Sequence, residues 1–201
     1  MRKTNILIIL GVILFFFGGC ATPGKQFIDI RYMADHEQTQ TGMIGLAVFT
    51  DKRPQNGEGY VGYRTLMDNS RETYFVTGVS LSYSLTRVTG VYLEKNGFVI
   101  APVEPWEKNV EEMKKASKGF KQVLSAEIIR FECRAKKKGV TTKMTLDIGL
   151  IFYLGMADDN SLKRIPVSLK LERTEFGFSP EKLEKFVNQS MEEVIQKALV
   201  F

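Results

Sequence analysis

The sequence predicts a single α+β domain, with a mixed and antiparallel sheet, a three-stranded C-terminal meander and two main helices packed on one face. Three observations carry this. Val140, Thr142, Met144, Leu146, Ile148, Leu150, Phe152, Leu154 and Met156 alternate with Lys143, Thr145 and Asp147, the period-two pattern of a strand with one buried side. Leu81, Leu85, Val88, Val91 and Tyr92, and later Leu183, Phe186, Val187, Met191, Val194 and Ala198, fall at three-and-four spacing, which gives a helix one apolar stripe. No repeat, low-complexity segment or long interior linker divides the 201 residues, so one core is the economical reading.

In chain order, Ile28, Ile30 and Tyr32 alternate with Asp29 and Arg31 and predict a short edge strand, followed by a loop over Ala34 to Thr41. Met43 to Thr50 is nearly all apolar and reads as a buried central strand, with Gly42 and Gly45 permitting close approaches. Gln55-Asn56-Gly57-Glu58-Gly59 is a turn cluster, and Tyr60 to Arg64 with Glu72 to Thr77 form a hairpin beyond it. The helix from Val79 stops at Asn96-Gly97 and feeds a strand over Phe98 to Val103. Pro105 opens a short charged helix from Trp106 to Lys118. Val123 to Phe131 and Val140 to Met156 flank Arg134-Ala135-Lys136-Lys137-Lys138-Gly139, read as a basic hairpin tip. After a second turn at Ala157 to Ser161, Ile165, Val167, Leu169 and Leu171 complete the meander, and Pro166 places that strand at an edge. Ser179-Pro180-Glu181 combines a cap, a proline at the first helical position and an early acid, opening the terminal helix.

The amino end has a different logic. Met1-Arg2-Lys3 precedes an apolar run from Ile6 to Phe17, too short to span a membrane comfortably and shaped like a cleaved signal peptide. Gly18-Gly19-Cys20 then resembles the bacterial lipobox, although Phe17 stands where an aliphatic residue is usual. The resemblance implies acylation of Cys20, cleavage before it and, with Ala21 next, export to the outer membrane facing the periplasm. Residues 1–19 are thus the lipoprotein signal peptide, 20–40 the lipidated cysteine, tether and edge strand, and 41–201 the globular domain. Loss of Arg2 and Lys3 lowers the 28 basic side chains to 26 against 23 acidic, a net charge of +3 and too mild to imply nucleic acid. With Cys20 acylated, Cys133 has no partner and no disulfide framework exists.

No assembled catalytic set is visible, and no cofactor or metal is implied. The single histidine, His36, lies between Asp35 and Glu37, too close in sequence for three ligands to converge on one ion. Cys133 could be a nucleophile activated by Arg130 and Arg134, or a small apolar residue near a strand end. Asp51, Arg53 and Arg64 bracket the glycine-rich turn and offer a charged recognition surface; alternatively Asp51 caps the turn and the arginines are solvated or paired to it. Arg134, Lys136, Lys137 and Lys138 could touch anionic lipid heads or simply be soluble.

The lipobox, the strand running into Asp51-Lys52-Arg53-Pro54 with Gly62-Tyr63-Arg64 after it, and Leu93-Glu94-Lys95-Asn96-Gly97-Phe98 before a strand together resemble the YajG-type lipoproteins over residues 40 to 200. A more distant similarity exists to the auxiliary lipoproteins of ABC-type lipid transport systems. The first resemblance implies a small outer-membrane lipoprotein. The expected function is a non-enzymatic binding or assembly factor for an envelope partner protein, through the sheet face opposite the helices or the Asp51 to Arg64 loop. The alternative is a lipid-handling accessory with a cleft for an acyl chain; an envelope hydrolase would need an acid/base pair that the sequence does not reveal.

Overall fold

The computed structural model of the protein describes residues 24–35, 40–54, 57–78 and 80–200. Its sheet is organised around β7 (Gln122–Lys138), the longest of nine strands among the described residues. One edge of β7 pairs antiparallel with β8 (Thr141–Met156), which pairs antiparallel with β9 (Ser161–Phe176). The other edge is divided among three parallel strands. β2 (Gly42–Ala47) meets Gln122 to Leu124, β3 (Thr50–Asp51) meets Glu127 and Ile128, and β4 (Tyr60–Thr65) meets Cys133 to Lys136. β6 (Phe98–Val103) extends the β2 arm in parallel. β5 (Arg71–Val76) pairs antiparallel with β4, and β1 (Lys25–Ile28) runs parallel to β5 at the end of that arm.

The three helices begin where a side chain can take up an orphan amide. Ser80, Asn109 and Ser179 accept from the backbone of Tyr83, Glu112 and Lys182 to open α1 (Leu81–Lys95), α2 (Val110–Ala116) and α3 (Pro180–Ala198). α1 and α3 bury Leu85, Val88, Leu93, Leu183, Phe186, Met191 and Val194 against Leu124, Ala126, Ile128 and Phe131 of β7 and Met144 to Phe152 of β8. Each such fully buried side chain contributes about 1.5–3 kcal/mol. The smaller α2 covers the opposite face, where Met113 packs with Trp106, Ala47 and Val123. Gly155 makes room there: a Cβ would lie 2.3 Å from Met113 Cγ.

The predicted hairpin, meander and main helices are observed, with four corrections. Arg134 to Lys138 are strand, not a tip, because β7 stays in register to the Lys138–Thr141 pair and the reversal needs only Gly139 (φ 59°) and the exposed Val140. The short helix starts at Val110 rather than Trp106, since Asn109 supplies the cap and Trp106 is buried ahead of it. Gly45 does permit a close approach, whereas a Cβ on Gly42 would meet nothing within 4 Å. Finally, the first strand ends at Ile28 instead of continuing to Tyr32.

Residues 29–34 instead form an extended strap along α3. The amides of Asp29, Arg31 and Met33 donate to Glu184 Oε2 (2.9 Å), Asn188 Oδ1 (3.1 Å) and Glu192 Oε1 (2.6 Å). Two extended residues advance about 6.6 Å and four helical residues about 6.0 Å, so alternate amides meet side chains spaced by four. From α1, Arg87 donates to the carbonyl of Ile30 (3.0 Å) and Lys95 to that of Ala34 (2.6 Å), while Ile30 and Tyr32 are buried.

Candidate functional site

A groove opens between α1 and the β6 edge of the sheet. Thr86, Gly90 and Val91, with Tyr83, Arg87 and Glu94, form its helical wall, facing Leu46, Val48, Ile100 and Pro102 across about 290 Å³. The helical residues recur at three-and-four spacing, so they share one side of α1. Gly90 brings the helix close, with a Cβ there only 3.4 Å from Leu46 Cδ2. Thr86 Oγ1 accepts from the amide of Phe49 (2.9 Å) and fixes the helix to the chain leaving β2. Arg87 reaches out of the groove to Asp29 (2.8 Å) and to the strap. The floor is therefore apolar with two charged groups at the rim, suited to an aliphatic or aromatic segment. β6 pairs only with β2 among the described residues, and Val99 on it is 60% exposed.

A second hollow of about 250 Å³ on the α2 side is polar, lined by Thr50, Lys52, Trp106, Lys108, Glu112 and Glu127. Burial pushes the Lys108 ammonium below its usual range; it donates to the Trp106 carbonyl (2.6 Å) and sits 4.5 Å from that ring. Sequence reasoning identified neither hollow. Gly90 inside a helix, where glycine costs about 1 kcal/mol relative to alanine, was the available signal for the first.

Asp51 and Arg53 come together as a structural pair. The Arg53 side chain is 2% exposed, bonds Asp51 through Nε and Nη2 (2.7–3.1 Å), and donates through Nη1 to the carbonyls of Tyr60 (2.8 Å) and Phe131 (3.0 Å). Arg64 sits elsewhere: it pairs with Glu72 (3.2 Å), which also accepts from Tyr74, and lies 4.1 Å from the Phe178 ring. Arg134, Lys136 and Lys138 alternate onto the outer face of β7, with Arg134 bonded to Glu132, while Lys137 takes the other side. Cys133 is buried, and burial pushes its thiol up to about 12, far from a thiolate nucleophile at neutral pH. Cys20, His36 and Glu37 lie outside the described residues; Asp35 pairs with Lys95 at 3.2 Å.

This fold has been seen before. A Xanthomonas campestris protein of the DUF330 family matches with a TM-score of 0.51 at 10% identity, over 85% of this chain and 92% of that one. A Helicobacter pylori homolog of neuraminyllactose-binding hemagglutinin (TM-score 0.43, 8% identity, 86% and 89% covered) and the Neisseria meningitidis lipoprotein GNA1162 (0.39, 10%, 78% and 99%) also match. The first likeness shows the fold alone, and the other two carry no argument about function. No family model and no curated protein matches the chain. Among the described residues, no helix is long and apolar enough to cross a membrane.

Proposed function

We propose that the protein is a bacterial envelope lipoprotein of YajG type, anchored to the outer membrane by acyl chains on Cys20, that binds a partner protein without catalysing a reaction. The observation that carries this reading is the apolar groove beside a strand, β6, whose outer edge pairs with no other strand among the described residues, which offers an incoming apolar segment both side-chain burial and a strand edge. It moves the docking surface away from the Asp51 to Arg64 loop, because the Arg53 donors are turned inward. A photo-crosslinking residue at Tyr83 is expected to give a discrete protein adduct in cells, lost with Gly90→Leu and absent from position Lys185. An adduct that survives groove filling counts against the reading. Anchoring is read separately, from the mass of the amino-terminal peptide and its change in Cys20→Ser.

The same apolar floor favours a second reading, in which the groove holds an acyl chain and the protein is an accessory in lipid handling. Native mass spectrometry of detergent-released protein then shows one lipid beyond the covalent ones, lost with Gly90→Leu. Neither a crosslink nor a bound lipid would leave both readings without support.

A further inference from the structure

The outer face of the β4–β5–β1 arm differs in character from the charge lattice that continues across β8 and β9. Strand alternation turns Tyr74 and Val76 into the core and sends Arg71, Thr73 and Phe75 outward. The register sets Phe27 of β1 and Tyr60 of β4 on either side of Phe75, with ring centroids 6.3 and 6.1 Å away. Phe27 is 61% exposed. Lys25 Nζ lies 5.2 Å from the Phe75 ring, and Arg71 Cζ lies 4.5 Å from the Tyr63 ring. Tyr63 stands beside Arg134 on β7, from which Lys136 and Lys138 continue the basic row.

The acids that the strands carry onto this face are already engaged. Glu132 is bonded to Arg134 and lies 3.5 Å from the Tyr60 hydroxyl, and Glu172 pairs with Lys143. Lys25, Arg71, Lys136 and Lys138 have no ion pair among the described residues. The surface thus presents the exposed Phe27 ring beside the half-buried rings of Tyr60, Tyr63 and Phe75, together with unneutralised cations.

We propose that this face rests on the bilayer that holds the anchor, with Phe27, Tyr60, Tyr63 and Phe75 at headgroup level and Lys25, Arg71, Lys136 and Lys138 against anionic phospholipid headgroups. Aromatic side chains with one apolar and one wet end suit that boundary, and cations are drawn to anionic lipid within a Debye length. The chain between the anchor and the domain selects this occupant. Four residues separate Cys20 from Lys25, so β1 begins at most about 17 Å from the acylated cysteine. β1 is also the border of this face, and a face so closely tethered meets lipid before it meets a diffusing partner. The inference rests on acylation of Cys20.

The test uses the mature lipidated protein in phosphatidylethanolamine vesicles containing phosphatidylglycerol, with a fluorophore on Thr73→Cys or on Lys185→Cys of the helical layer. Cys133 is 1% exposed and escapes labelling. A lipid-attached quencher is expected to act at least about threefold more strongly at position 73, and Lys25→Glu combined with Arg71→Glu and Lys136→Glu should remove the difference. A second label at Thr65→Cys, on the same face, should repeat the result. Protein that floats with the vesicles yet is quenched equally at positions 73 and 185 overturns this inference alone. Protein that does not float overturns the anchoring and the inference with it.

Discussion

The β2–β6 arm and the β4–β5–β1 arm both join β7 through a parallel strand, and each sets a glycine opposite it: Gly45 across from Val123 and Gly62 across from Cys133. The contacts behind these glycines differ. A Cβ on Gly62 would lie 1.8 Å from the Cys133 carbonyl oxygen, whereas one on Gly45 would meet the methyl ends of Val103 (2.8 Å) and Val123 (3.0 Å) and the Phe120 ring (3.3 Å). The β4–β5–β1 arm is thus fixed backbone against backbone, and Arg53 rivets it by holding one carbonyl from each strand. The β2–β6 arm is held by side chains that can shift. Its groove lies on the arm that can adjust, and the aromatic and basic face proposed to meet lipid on the arm that cannot.

The largest expected effect is at the rigid arm. Gly62→Ala should cost about 4 kcal/mol or more in chemical denaturation, while Gly45→Ala should cost about 1–2 kcal/mol; equal losses would erase the distinction. Arg53→Met follows at about 3 kcal/mol, because it leaves a carboxylate and two carbonyls without their donor. If its denaturation midpoint matches the parent, the rivet is dispensable.

An alkaline effect comes next. Burial pushes the Cys133 thiol from its ordinary 9.0, and the Tyr60 hydroxyl from 10.0, each up to about 12. Both are neutral in the folded protein, and the unfolded chain releases their protons at lower pH. Stability is therefore intact below about pH 9 and falls as pH rises toward 12, with Cys133 alone accounting for about 2 kcal/mol by pH 10.5. Urea midpoints across that range should show the slope, and Cys133→Ala should flatten it; an unchanged slope would refute the assignment. The smallest effect belongs to the adjustable arm. Gly90→Ala should stabilise by about 0.5–1 kcal/mol, since Leu46 accommodates the methyl at ordinary contact distance, and a loss instead would mean the groove is as rigid as the other arm.

The meander and both main helices were legible because their periodicity is local: nine alternating positions from Val140 and the stripes beginning at Leu81 and Leu183 need no knowledge of their partners. What was not legible depends on distant pairing. Nothing in β7 says that three strands divide its edge, and the Ile128–Arg130 register shift leaves Ile129 exposed within an apolar run. Asp29 to Ala34 alternates like a strand, yet its amide partners lie more than 150 residues away on a helix. Lys136 to Lys138 read as a tip because charge suggests a loop, but alternation onto solvent serves a strand end equally well. Arg53 was singled out for its charge and its place beside Asp51; its burial was set by the Tyr60 and Phe131 carbonyls, which only the fold brings near.

The strap also sets a timetable. Its partners Glu184, Asn188 and Glu192 stand 155 to 159 positions downstream, so a chain made or exported from its amino end must keep residues 29–34 open until the last helix arrives. Closing the strap is the final seam. A chain truncated before α3 would leave residues 29–34 unfastened, whatever the state of the sheet between.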